Sequence, residues 1–272
     1  MLVQSASCSL PRMMKTHMGT FPTPGFTSPP QASLWPISAC GDTCLIIELA
    51  QTFSTRANRQ AAALAEHLQA LRLAGQLQGV LDIVPAMVTV GVHYHPGSVH
   101  CLPGELPWRS LGRQLEQVLR DVPDLQGSHA PRLIELPVCY GGEYGPDLEA
   151  VAASCGMTPA EVIACHSAKP VAVLMLGFAP GHAYVGRFDE RLGLPRREVP
   201  RTQVPRGSIG LANRQSVIYP SDLPGGWHLI GRTPVSVFDL AQAEPCLLRA
   251  GDRVRFVPID EGQFQGLAQV QP

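Results

Sequence analysis

No run of apolar residues in this chain approaches the roughly 20 needed to cross a bilayer. The longest, Val171 to Leu176, has the length of a strand, which predicts a soluble protein without a membrane partner. Charge of one sign is also lacking: 21 basic and 22 acidic residues leave a net charge of -1 and no blocks of either sign. Without a basic stripe to neutralise a phosphate backbone, nucleic acid is excluded as a partner. The eight cysteines contain no C-x-x-C pair and are too irregular for a disulfide framework, so a cytoplasmic location is expected. Cys44, Cys139, Cys165 and Cys246 sit among apolar neighbours and read as small buried hydrophobes. No G-x-x-x-x-G-K-[ST] occurs, which excludes a P-loop. Residues 1–36 lack Asp and Glu altogether and are punctuated as in FPTPGFTSPP. With no continuous apolar core for a secretory signal, they are expected to form a disordered arm, in which Met13, Met14 and Met18 are alternative starts.

What is present is a chain of 272 residues, 45% hydrophobic, long enough for two domains beyond the arm. From Cys44 onward CLIIEL reads as a strand and Ser54 as the cap of a long helix closed by Gly75, with Ala61, Leu64, Ala65, Leu68 and Leu71 on one face. GVLDIV and MVTVGVHY follow as strands, then a helix over about Pro107 to Val122, then the strand RLIELPV. The order β-α-β-β-α-β predicts a ferredoxin-like α+β domain over residues 37–138. Two short helices are expected next, about Asp147 to Cys155 and Pro159 to Ser167, the second with a capping box of Thr158 and Glu161. After the buried strand VAVLMLGF, the stretches SIGLA, QSVIYP, WHLIG, VSVFDL and DRVRFVP alternate with Pro/Gly turns, and helical spacing disappears. Closely spaced short strands of this kind predict a closed β-barrel, so that residues 139–272 form a helical connector and barrel.

Most of the chemical information lies between Leu176 and Val235. Glycines after a strand allow a sharp turn that exposes N–H groups, and arginines supply planar donors for an anion; GFAPGHAYVG, PRTQVPRGS and PGGWHLIGRTP place both within one barrel. Taken singly, Gly225-Gly226 is a turn, Trp227 a packing residue, and Arg196, Arg197, Arg201 and Arg206 a solvated basic loop; the combination is harder to obtain from packing alone. His93 and His95 share a strand face but have only Cys101 as a convincingly placed companion, so they read as solvated strand-end residues and no metal site is expected.

GFAPGHAYVGRFD, PRREVPRTQVPRGSIGLA, QSVIYPSDLPGGWHLIGRTP and, upstream, PVCYGGEYGPDLEAVA resemble the allophanate hydrolase subunit 1 / KipI family, regarded as the B subunit of bacterial 5-oxoprolinase. The resemblance runs from about Gly41 to Pro258. It implies that the barrel is cyclophilin-like and that the chain is one part of a carboxyltransferase-type assembly. Its implied partners are a KipA-like C-type subunit plus a LamB/YcsF-like A-type subunit, and the three together hydrolyse 5-oxo-L-proline to glutamate with ATP and Mg2+. A lactam carbonyl is a poor electrophile until its oxygen is phosphorylated, so such a site needs donors for developing phosphate charge and a grip on the substrate carboxylate. On this reading His182, His228 and Arg232 are the candidate catalytic residues. Arg201 and Gln215, with Tyr184, Tyr219 and Trp227 as walls, are the candidate substrate-binding residues. The alternatives are an inhibitor that docks on a sensor histidine kinase, as the name KipI implies, or a carboxyltransferase-like component of allophanate metabolism.

Overall fold

The computed structural model describes residues 35–122 and 131–270; the expected arm lies almost entirely outside them. The first sheet contains β1 (Ile37–Ala39), β2 (Cys44–Glu48), β3 (Val80–Pro85) and β4 (Thr89–Tyr94), in the order β1-β2-β4-β3 and antiparallel throughout. Helix α1 (Thr55–Leu73) starts where expected, because the Ser54 hydroxyl accepts from the Ala57 amide at 3.0 Å. Its Ala61, Leu64 and Leu68 pack with Leu111, Leu115 and Leu119 of α2 (Pro107–Asp121) onto Leu45, Ile47, Val90 and Val92. Two helices therefore cover one face of the sheet, as the periodicity required.

The fourth strand of that sheet is not the one expected. RLIELPV forms β5 (Leu133–Tyr140), a strand of the barrel, and the edge beside β2 is taken by β1. A β1–β2 hairpin closes a short local loop at small entropic cost. β5, in contrast, has both edges occupied within the barrel, parallel to β13 (Arg253–Ile259) and antiparallel to β12 (His228–Arg232). The βαββαβ order of a ferredoxin-like domain is thus corrected to a sheet whose edge comes from upstream of the first helix.

After β5 come α3 (Leu148–Cys155) and α4 (Pro159–Ser167), the latter with both halves of its capping box formed by Thr158 and Glu161. β6 (Val171–Leu176), β7 (Ala183–Gly186), β9 (Ser208–Ala212) and β10 (Gln215–Ile218) complete a closed barrel of order β10-β7-β6-β13-β5-β12-β9. β8 (Arg201–Val204) and β11 (Leu223–Gly225) stand apart as a two-stranded flap. VSVFDL is irregular rather than a strand, with one isolated bridge from Phe238 to Cys246. Helical structure also returns at the end of the chain as α5 (Glu261–Val270), against the expectation from spacing. No single described helix is long and apolar enough to cross a membrane.

The barrel lumen is filled rather than hollow. Leu136, Val138, Val173, Ala183, Val185, Ile209, Leu211, Ile218, Ile230, Val254 and Phe256 form one buried cluster, onto which Val151 and Val162 of the two short helices pack. A polar chain crosses it: His166 is fully buried, with Nδ1 2.7 Å from the Tyr140 hydroxyl and Nε2 2.7 Å from Ser216 Oγ. Asn58 at the start of α1 donates to the carbonyls of Met87 and Leu174, both at 2.9 Å, and so ties the first sheet to the barrel.

Candidate functional site

Strand alternation decides which side chains meet. Along β7, Ala183 and Val185 enter the lumen while Tyr184 packs on the other side, with Val204, Ala212, Val217, Tyr219, Trp227 and Leu229. This second cluster lies on the outer face of the barrel wall, together with residues of the flap. His182, two positions before Tyr184, falls on the same face, and its ring is 5.0 Å from that of Tyr184 and 5.1 Å edge-on from that of Tyr219. Tyr184 meets Trp227 edge-on at 6.1 Å. Four of the eight expected residues, His182, Tyr184, Tyr219 and Trp227, therefore form one aromatic wall.

Two glycines make that wall possible. A Cβ on Gly225 would stand 2.0 Å from the Tyr219 hydroxyl oxygen, and one on Gly210 would stand 2.6 Å from Cβ of Trp227. The PGG of the flap and the SIG of β9 thus leave room for the Tyr219 hydroxyl end and the Trp227 side chain to approach the backbone closely.

The electrostatics of the wall centre on His182. It is 1% exposed, and its Nδ1 is buried without a hydrogen-bond partner. Burial, aided by the positive charge of Arg196, pulls its pKa down to about 4, so the imidazole is neutral at physiological pH. Burial likewise raises the Tyr219 hydroxyl to about 12 and pushes Tyr184 upward, which keeps both as hydrogen-bond donors. Above them the Arg196 guanidinium carbon lies 4.7 Å from the Trp227 ring centroid. Phe178 closes one side, its ring centroid 5.3 Å from that of His182 in an edge-on arrangement; it is 66% exposed and its backbone has a φ of 76°, rare for a residue with a side chain. Neutral acceptor, phenolic donors and an exposed guanidinium along an apolar wall suit a small planar polar molecule that carries an anionic group.

The other expected residues lie elsewhere. Arg201 donates from both terminal nitrogens to Asp147, each at 2.8 Å, and Arg197 adds a third contact at 3.1 Å. Asp147 also accepts the Leu229 amide at 2.7 Å, so this buried carboxylate pins the arginine loop to β12. His228 donates from Nε2 to the Pro195 carbonyl at 3.0 Å and tethers the segment that presents Arg196. Gln215 pairs with Gly186 at the far end of β10, four residues and ~13 Å along the strand from Tyr219. Arg232 braces the Arg206 carbonyl at 2.7 Å and lines a separate surface depression with Arg206, Thr233, Val235 and Phe264. Arg196, Asp147 and Phe178 were missed as site residues. Only their positions in the arginine-rich loop, in GPD and in GFAP hinted at a role, and each becomes specific only through a partner distant in sequence.

Residues 35–248 match the family described as carboxyltransferase domain, subdomain C and D. The chain belongs to this family. Among proteins it is similar to are the 5-oxoprolinase B subunit of Bacillus subtilis (strain 168), 37% identical over 84% of this chain and 94% of that protein, and its namesake in Escherichia coli O157:H7, 38% identical over 82% and 95%. The crystal structure of TTHA0988 superposes with a TM-score of 0.67 at 36% identity, covering 80% of this chain but 40% of that longer polypeptide. The Kluyveromyces lactis urea amidolyase has a TM-score of 0.66 at 16% identity over 89% of this chain and 16% of that one, a likeness of fold alone.

Proposed function

We propose that this chain is the B subunit of an ATP-dependent 5-oxoprolinase and that the wall around His182 faces the 5-oxo-L-proline substrate. The observation that carries the assignment is the 37–41% identity to three proteins named as 5-oxoprolinase B subunits, with this chain spanning 89–95% of each. The barrel is taken to be cyclophilin-like, and the partners to be the KipA-like C-type and LamB/YcsF-like A-type chains. Within the wall, the substrate ring rests against Tyr184 and Arg196 takes the carboxylate, and the lactam amide reaches the buried Nδ1 of His182 once the exposed Phe178 and Arg196 swing aside. Gln215 and Arg232 stand outside this constellation, while Arg201 and His228 hold its loop in place. ATP supplies the phosphoryl group that activates the lactam oxygen. Among the described residues no three His, Cys, Asp or Glu side chains are grouped to hold a metal ion, and the accompanying Mg2+ would travel with the ATP phosphates.

The test is reconstitution. The chain alone should release no glutamate from 5-oxoproline and ATP, whereas mixing with the A- and C-type chains should restore turnover. His182→Phe should then lower kcat by about 100-fold or more while the complex still assembles. Turnover by the isolated chain would overturn the assignment, and an unchanged kcat in the variant complex would remove His182 from the site.

A further inference from the structure

The first sheet carries a second chemical constellation, on the face away from the helices. β1 and β2 pair Ala39 with Leu45, so the next residues in register, Cys40 and Cys44, stand directly opposite each other across the hairpin loop. The Cys40 amide donates to the Cys44 carbonyl at 2.9 Å, which fixes this pair at the last rung of the hairpin. A disulfide needs Cα atoms ~4.4–6.8 Å apart, a span within reach of two residues joined by a backbone hydrogen bond across a hairpin. Both side chains lie on one face, because paired residues always do. On the other side of Cys44 the register pairs it with His93 of β4, and Cys44 Sγ lies 3.9 Å from His93 Nε2. Cys40 at the start of the hairpin loop, Cys44 of β2 and His93 of β4 thus follow one another laterally. The imidazole and the Cys44 sulfur lie over Gly91, 3.6 and 3.8 Å from where a Cβ would stand on that residue.

From this row we infer a thiol-oxidation site in which the Cys40 sulfur attacks a hydroperoxide, Cys44 resolves the product as a disulfide, and His93 accepts the resolving proton. Division of labour follows from exposure. Cys40 is open to solvent, whereas Cys44 is 7% exposed and reaches an oxidant poorly. Burial, followed by the nearby Cys40, pushes the Cys44 thiol upward, so it keeps its proton until a base removes it. In the first step the Cys40 sulfur forms an S–O bond as the O–O bond of the hydroperoxide breaks, giving Cys40 sulfenic acid and an alcohol or water. In the second, Cys44 sulfur attacks Cys40 sulfur, the S–O bond breaks, and the oxygen leaves as water with the proton passed through His93. The cysteines lose two electrons in total and the hydroperoxide gains them. The product is a covalent tie between edge strand β1 and β2, far in sequence from the barrel wall described above. Its chemistry does not depend on the oxoprolinase reading.

The experiment uses the full chain with hydrogen peroxide, followed by maleimide capping and peptide mass analysis. The peptide holding Cys40 and Cys44 should be unlabelled and lighter by two hydrogen atoms, and should take two labels after dithiothreitol. Cys101, Cys155, Cys165 and Cys246 on other peptides serve as internal comparisons. In Cys44→Ser, which should retain the native far-ultraviolet spectrum, Cys40 should halt at sulfenic acid and be captured by dimedone. His93→Gln should slow disulfide closure by about tenfold or more and accumulate the same adduct. Cys40 found as sulfinic acid or joined to another molecule, with Cys44 free, would overturn the proposal, as would closure at the native rate in His93→Gln.

Discussion

Replacing Asp147 by Asn keeps the side-chain size and an acceptor oxygen for the Leu229 amide, but removes the charge opposite Arg201 and Arg197. Losing one partner of a fully buried ion pair costs about 3–5 kcal/mol. Here the arginine side chains are 25% and 32% exposed, so water recovers part of that and about 2–3 kcal/mol is expected. In a protein of this size that corresponds to a fall in Tm of about 5–10 °C. Burial by itself would raise the Asp147 pKa; the hydrogen bonds from Arg201 and Leu229 and the charges of both arginines overcome it, and the net direction is downward. A carboxylate held below its unfolded value stabilises the fold fully above that value, near 3.8, and loses its contribution as pH falls through the lower native value. The Tm gap between wild type and Asp147→Asn should therefore be widest near neutral pH and close below about pH 4. Thermal melts of both proteins across that range test it. Equal Tm values at pH 7, or a gap that persists undiminished in acid, would refute the argument that the charge carries the effect.

Gly225→Ala should force Tyr219 from the wall, because the new Cβ would meet its hydroxyl oxygen; a loss of about 1–3 kcal/mol by denaturant titration is expected, together with impaired turnover of the assembled complex. His166, at about 3, and His182, at about 4, both sit below the ordinary histidine value of 6.5. The unfolded chain therefore binds protons there first, and stability should fall as pH drops from 6.5 toward 4, with a shallower slope in His182→Phe. Thr158→Ala should cost about 1 kcal/mol through the lost α4 cap, read as a shift in urea midpoint without a change in slope.

What could be read from the sequence was whatever depends on near neighbours. Ser54 and Thr158 cap the helices expected of them, and the 3.6-residue spacing of Ala61, Leu64 and Leu68 does mark the buried face of α1. Errors began where a strand had to choose among distant partners. RLIELPV has the composition for either sheet, and only Phe256 and its neighbours 120 positions downstream decide that it belongs to the barrel. The site divided in the same way. His182 and Tyr184 share a face by simple alternation, but Tyr219, Trp227 and Arg196 join them through strand pairing and loop tethering that no local pattern records. Arg201 was expected at the wall as a free donor; its engagement by Asp147, 54 residues earlier, is a property of the folded chain alone. Cys44 and Cys139 are buried as small apolar residues, while Cys165 and Cys246 are only partly so.

The parallel pairing of β5 with β13 has a consequence for how the molecule is made. The sheet of β1 to β4 with its two helices has all its strands in hand early in synthesis. The barrel does not. Its first strand must wait for its last, because the gap between β5 and β6 is filled only by residues 253–259. Until those residues leave the ribosome, two strand edges and an apolar lumen are open to any other chain nearby. Protection of this half-built barrel, rather than its final stability, is what the order of strands demands of the cell.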